Sequence, residues 1–151
     1  MTFRLPEPPA LDLMEIRRTA AGHSSRLRRG DALRRLAASD FPDRHRDLES
    51  ILGNEENPEG LRCLAAVLLA RQTGGNALPI LARHADHAAP DVLDHIVRAI
   101  GQIGDQPMLT LLDRIQTTAP AWIGSHASFA AALIAYRHRL DGRAIELPPD
   151  L

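Results

Sequence analysis

Two stretches of this 151-residue chain repeat each other about one helical hairpin apart. Leu61, Leu64, Ala65 and Leu68 fall at helical spacing, and a shift of 32 positions lands on Leu93, Ile96, Val97 and Ile100. A turn follows each stretch, Thr73-Gly74-Gly75-Asn76 in one copy and Gly104-Asp105-Gln106-Pro107 in the other. Beyond the turn the match resumes at a shift of 31, with Ala77 to Arg83 lying over Met108 to Arg114. A period of this size, in which each unit carries an apolar stripe that it cannot bury alone, predicts stacked helix pairs. The expected fold is all-α, a short right-handed α-solenoid of antiparallel helix pairs.

Composition agrees. Hydrophobic residues make up 44% of the chain but aromatics only 3%, so Leu, Ala, Ile and Val supply the bulk, as suits helix-on-helix layers. The length fits one domain. Along the chain the expected order is a proline-rich arm over residues 1–10, the solenoid over 11–140 and a tail over 141–151. A degenerate first unit keeps the period, since Leu36 precedes Leu68 by 32 positions and Leu48 and Ile51 precede Leu78 and Leu81 by 30. Pro58, Pro90 and Pro120 each mark a helix start, where a missing backbone N–H costs nothing. In the last helix, Phe129, Leu133, Tyr136 and Leu140 recur at helical spacing and are expected to face the core with Trp122. That leaves Ala127, Ala130, Ala131, Ala132 and Ala135 outward, for the C-terminal tail, a partner or a second copy of the chain.

The run Ile96-Val97-Arg98-Ala99-Ile100-Gly101-Gln102-Ile103-Gly104-Asp105 resembles the signature of HEAT-like repeats of the short, phycobilisome-lyase type. There an Arg with small and apolar residues leads into a Gly-x-Ile-Gly-Asp turn between the two helices of a unit. Residues 58–73 resemble it more loosely, with Ala70-Arg71-Gln72-Thr73-Gly74 in the place of the turn. The resemblance spans about residues 24–140. It implies an α-solenoid used for protein binding, with the polar stripe of the Asp91 helix on the concave side.

The net charge of −1 sets up no global field toward nucleic acid or an acidic membrane. All eighteen basic residues are arginine, a pattern of G+C-rich codons, though arginine also brings planar bidentate donors to its surface. No signal-like segment or run of about 18 apolar residues occurs, and the single Cys63 has no partner for an internal disulfide, so the cytoplasm is the expected compartment.

Two surfaces stand out. On the helix from Asp91 to Ile103, Asp91, Asp94, His95, Arg98, Gln102 and Asp105 share one face, and Glu59, Arg62 and Cys63 hold equivalent places one unit earlier. Glu59, Arg62, Asp91, Asp94, His95, Arg98 and Gln102 are the expected contact residues for a protein partner. The competing reading is a solvated face with Asp94 and Arg98 as an exposed i,i+4 pair. The second surface is an arginine cluster, from which Arg26, Arg28, Arg29, Arg34 and Arg35 form a candidate anion-docking site. Alternatively, the acidic residues from Asp40 to Glu59 neutralise it across neighbouring helices. Few aromatics are available to stack bases, which argues against nucleic acid.

Chemistry is harder to find. His84, Asp86, His87, Asp91, Asp94 and His95 invite a metal. Yet no histidine is followed by glutamate, so the His-Glu dipeptides that mark the iron-binding HEAT-like hydroxylases acting on deoxyhypusine are absent. Neither metal nor cofactor is expected. Cys63 with His95 is the one nucleophile and base pair on offer, and there is no Gly-x-Ser-x-Gly elbow or phosphate-cradling glycine loop. The leading expectation is a non-catalytic protein-interaction module, such as an adaptor, an inhibitor or immunity-type protein, or a complex subunit. The alternatives are a lyase or chaperone-like enzyme of the HEAT-like family, or nucleic-acid binding through the arginine cluster.

Overall fold

The structure is a computed structural model that describes residues 13–22 and 25–140. The proline-rich arm and the C-terminal tail lie outside the described residues. Eight α-helices and no strand occur among these residues: α1 (Leu13–Ala21), α2 (Arg26–Ala38), α3 (Arg44–Gly53), α4 (Glu59–Thr73), α5 (Leu78–Ala85), α6 (Pro90–Ile103), α7 (Leu109–Thr118) and α8 (Ala121–Leu140). Short 3₁₀ turns, Gly74–Ala77 and Gln106–Met108, lead into α5 and α7. None of the described helices is long and apolar enough to cross a membrane.

Local chemistry sets the helix ends. Ser25 caps α2, its side chain accepting the Arg28 N–H, and Pro90 opens α6 where its missing N–H has no intrahelical partner. The carbonyls of Pro58 and Pro120 accept the first backbone bonds of α4 and α8. Three arginines close helix C-termini, where carbonyls lack partners. Arg29 donates from Nε to Ala20 O of α1 at 3.0 Å, and Arg62 donates from Nε to Leu52 O of α3 at 2.9 Å. Arg137 donates to Gly101 O of α6 and to the O of its C-cap Gly104, each at 2.7 Å, and to Gln102 O at 3.1 Å.

The helices pack in pairs, α1 on α2, α3 on α4, α5 on α6 and α7 on α8. The even-numbered helices also lie side by side in the order α2, α4, α6, α8, each packing on the next. Leu33, Leu36, Leu48, Leu52, Leu69, Ile96, Ile100 and Ile134 are fully buried between the layers. Polar links join the odd-numbered layer: Arg17 of α1 to Asp47 of α3, Glu49 of α3 to Arg83 and His84 of α5, and Asp86 just beyond α5 to Arg114 of α7. Ion pairs thus thread the odd-numbered layer, whereas the even-numbered helices meet through apolar contact together with polar links between α6 and α8. Each exposed pair contributes at most ~1 kcal/mol.

Two expectations need correction. The sequence match pairs the Leu61 helix with the one that follows it, but α4 makes its broad contacts with α3, α2 and α6. The spatial pair is therefore shifted by one helix, because the long apolar face of α4 is covered from both layers. The face of α8 is also turned relative to the expectation. Ala127, Ala130 and Ala135 are buried, whereas Phe129 and Tyr136 point outward. Close approach explains it: a Cβ on Gly101 of α6 would stand 2.9 Å from Ala130 Cβ. Only small residues fit where α6 meets α8, and Ile123 and Ile134 supply the bulk beside them.

Candidate functional site

On α6, Asp91, His95, Arg98 and Gln102 follow one another at helical spacing, and two grooves flank this ridge. The first, of about 610 Å³, lies among α2, α4 and α6. Leu27, Leu61, Leu64 and Val67 give it an apolar lining, with Arg26 and Arg34 on α2 and Glu59, Cys63, Asp91 and His95 on α4 and α6. Two surfaces that were separate in the sequence therefore meet as walls of one groove.

Within it, the His95 Nδ1–H donates to Asp91 O at 2.8 Å, and the Cys63 thiol reaches the same carbonyl at 3.6 Å. The Cys63 thiol is pushed above the ordinary range, first by burial and then by the carboxylates of Asp91 and Glu59. A thiol held neutral in this way is a poor nucleophile, so the Cys63 and His95 pair lacks the activation that covalent catalysis needs.

The second groove, of about 370 Å³, lies between α6 and α8 and is lined by Arg98, Gln102, His126, Phe129 and Leu133 together with the Gly101 and Ala130 contact. Its chemistry centres on Asp94. The Asp94 side chain is 6% exposed, pairs with Arg98 Nε at 3.0 Å, and is hydrogen-bonded through its other oxygen to His126 Nδ1. Because an ionised carboxylate only accepts, the neutral imidazole carries its proton on Nδ1, which leaves Nε2 with the lone pair. Trp122 stands edge-on to the ring, the centroids 6.3 Å apart. The His126 side chain is 38% exposed, so the ring oriented by Asp94 is within reach of a ligand.

Several expected site residues lie elsewhere. Arg62 and Arg29 are buried caps of α3 and α1, removed from any ligand surface by the helix carbonyls they satisfy. Arg28 and Arg35 face α1 with Asp31, and Arg35 pairs with Asp31, so the arginine cluster is split over three faces. Asp94 is not half of an exposed pair but a buried anchor. Glu59, Asp91, His95, Arg98 and Gln102 remain on the groove walls. His126 and Arg137 were missed by sequence reasoning. The 32-residue period held the signal for His126, which stands one period after Asp94 as Asp94 does after Arg62.

Metal donors are dispersed: His84 pairs with Glu49, Asp86 with Arg114, and Asp94 with His126. No three His, Cys, Asp or Glu side chains converge to hold a metal among the described residues. With no His-Glu dipeptide in the chain, the donors present do not fit the iron centre those dipeptides mark.

The chain matches no described protein family, and no curated protein resembles it in sequence. Among solved structures, human deoxyhypusine hydroxylase in complex with glycerol shares its fold, with a TM-score of 0.74 at 18% identity over 91% of this chain. The chain spans 48% of the length of that protein. This likeness and the all-helical architecture are compatible with HEAT-like repeats. It also overturns the expectation of a non-catalytic interaction module. The likeness shows the fold alone, but the neighbouring structure is of an enzyme, so the absence of a familiar motif here gives no ground for ruling catalysis out.

Proposed function

We propose that this chain is a short HEAT-like α-solenoid with an acid–base site on the inner face of its even-numbered helices, acting as a lyase-type enzyme on a small anionic substrate. The observation that carries the reading is the buried Asp94 carboxylate that orients His126 beside a groove. Asp94 fixes the tautomer, His126 Nε2 takes a proton from substrate carbon or from water, and the same nitrogen returns it to the product or leaving group. Arg98 keeps its Nε on Asp94, so its terminal nitrogens serve the anion. Phe129 and Leu133 hold the apolar part of the substrate and limit water around the base.

Proton abstraction leaves a record in heavy water. With di- and tricarboxylates and 2-oxo acids supplied in D₂O, ¹H NMR should show deuterium incorporation or elimination with the wild-type chain. The signal should disappear with His126→Gln and weaken at least tenfold with Asp94→Asn. Exchange that survives His126→Gln, or none with any member of the panel, counts against the proposal.

A further inference from the structure

The chain has five aromatic residues, one Trp, one Tyr and three Phe, and three of them stand exposed on α8: Trp122 at 45%, Phe129 at 59% and Tyr136 at 50%. They are seven residues apart, a spacing that drifts only ~20° per heptad around a helix, so they form one stripe about 21 Å long. This stripe edges the even-numbered layer, on the last of the described helices. We infer that it is the contact by which two copies of the chain pair about a twofold axis passing Phe129.

The spacing supplies the reason for choosing a second copy. Trp122 and Tyr136 lie seven residues on either side of Phe129, so the stripe is symmetric about its centre. An antiparallel pair of α8 helices sets Phe129 on its own mate and Trp122 on the partner's Tyr136, as a self-complementary contact requires. Charge selects the same orientation. Helix α8 has no acidic residue, and Arg137 and Arg139 lie in its last turn. Antiparallel packing separates the two exposed Arg139 side chains by roughly 30 Å along the axis, well beyond a Debye length of about 8 Å, whereas parallel packing would bring them together. On the order of 100 Å² of each ring is open, so six rings alone remove about 600 Å² from water, half of the ~1,200 Å² at which stable interfaces begin, which suits a pairing that depends on concentration.

Phe129 also lines the groove of His126, so the partner's helix becomes a wall on the open side of that groove. This last consequence rests on the proposed acid–base site, whereas the pairing itself does not. A dimer that catalyses nothing would overturn the enzyme reading and leave the pairing standing.

Light scattering of the full chain at 100 µM should give twice the 16.5 kDa chain mass, falling to the single-chain mass with Phe129→Asp while helicity is retained. A symmetric disulfide provides the second test. Under mild oxidation, Phe129→Cys should cross-link into dimers at least tenfold faster than Glu55→Cys, an exposed position away from the stripe, with native Cys63 buried in both. A monomeric wild-type chain, a dimer that persists with Phe129→Asp, or equal cross-linking of the two cysteine variants would overturn the pairing.

Discussion

Asp94 and His126 stand 32 positions apart, the same period that lays α6 over α4, and their side chains are hydrogen-bonded across the junction of α6 and α8. At the junction of α6 and α8 the repeat thus brings corresponding positions of successive units together. What a pair of such positions can do depends on the residues that occupy them. One period earlier Arg62 caps a helix, whereas Asp94 is hydrogen-bonded to His126.

Removing the carboxylate should cost stability as well as chemistry. In Asp94→Ala, the buried hydrogen bond to His126 and the Arg98 pair are both lost, and urea denaturation should show a loss of about 1–3 kcal/mol. Asp94→Asn keeps one acceptor and should lose less. An unchanged midpoint for Asp94→Ala would mean that the α6 and α8 helices are not tied through this residue.

Gly101 should behave opposite to its helix propensity. Alanine is favoured over glycine by ~1 kcal/mol in a free helix, but here its Cβ would lie 3.0 Å from Ala130 Cα, so Gly101→Ala should destabilise by about 1–2 kcal/mol. Combining it with Ala130→Gly should cost less than the sum of the two single changes. Additive costs in thermal melts would place the closest approach of these helices elsewhere.

Arg137→Met should lower stability by about 1–3 kcal/mol, because three carbonyls at the end of α6 lose their donor. Arg137→Lys should recover only part of this, since an ammonium cannot span the same carbonyls. Full stability in Arg137→Met would refute the capping role.

Much of the fold is legible in the sequence because apolar periodicity reports burial directly. Ile96, Val97 and Ile100 repeat the pattern of Leu64, Ala65 and Leu68 and are fully buried. The turned face of α8 was not legible. Bulk suggests that Phe129 and Tyr136 belong inside, but the space left by Gly101 admits only alanine, and that constraint belongs to a helix in another part of the sequence. The site was half legible for a related reason. A polar stripe marks Asp91, His95, Arg98 and Gln102 as one face, yet it does not say which carboxylate is buried or which histidine meets it. Arg29 and Arg62 look like surface charges until the helix carbonyls they reach are known.

Cys63 should be slow to alkylate. Burial and the carboxylates of Asp91 and Glu59 raise its pKa in the folded chain, so iodoacetamide at pH 8 should react at least tenfold more slowly than in denaturant. The sign for stability follows. A thiol with a raised folded pKa contributes fully below its unfolded pKa, and the contribution is lost as pH rises through the folded value, so stability should fall on the alkaline side. Cys63→Ser should flatten that limb, and an alkaline limb unchanged by the substitution would assign it to another group.

The state of the His126 ring tests the account most directly. Side-chain ¹⁵N NMR at pH 8 should place the proton on Nδ1 and the lone pair on Nε2, with the Nε2 resonance moving when a substrate carboxylate binds and the tautomer becoming mixed in Asp94→Asn. A proton on Nε2 in the wild-type chain, or a mixture unaffected by Asp94→Asn, would contradict the claim that Asp94 orients His126 for acid–base chemistry.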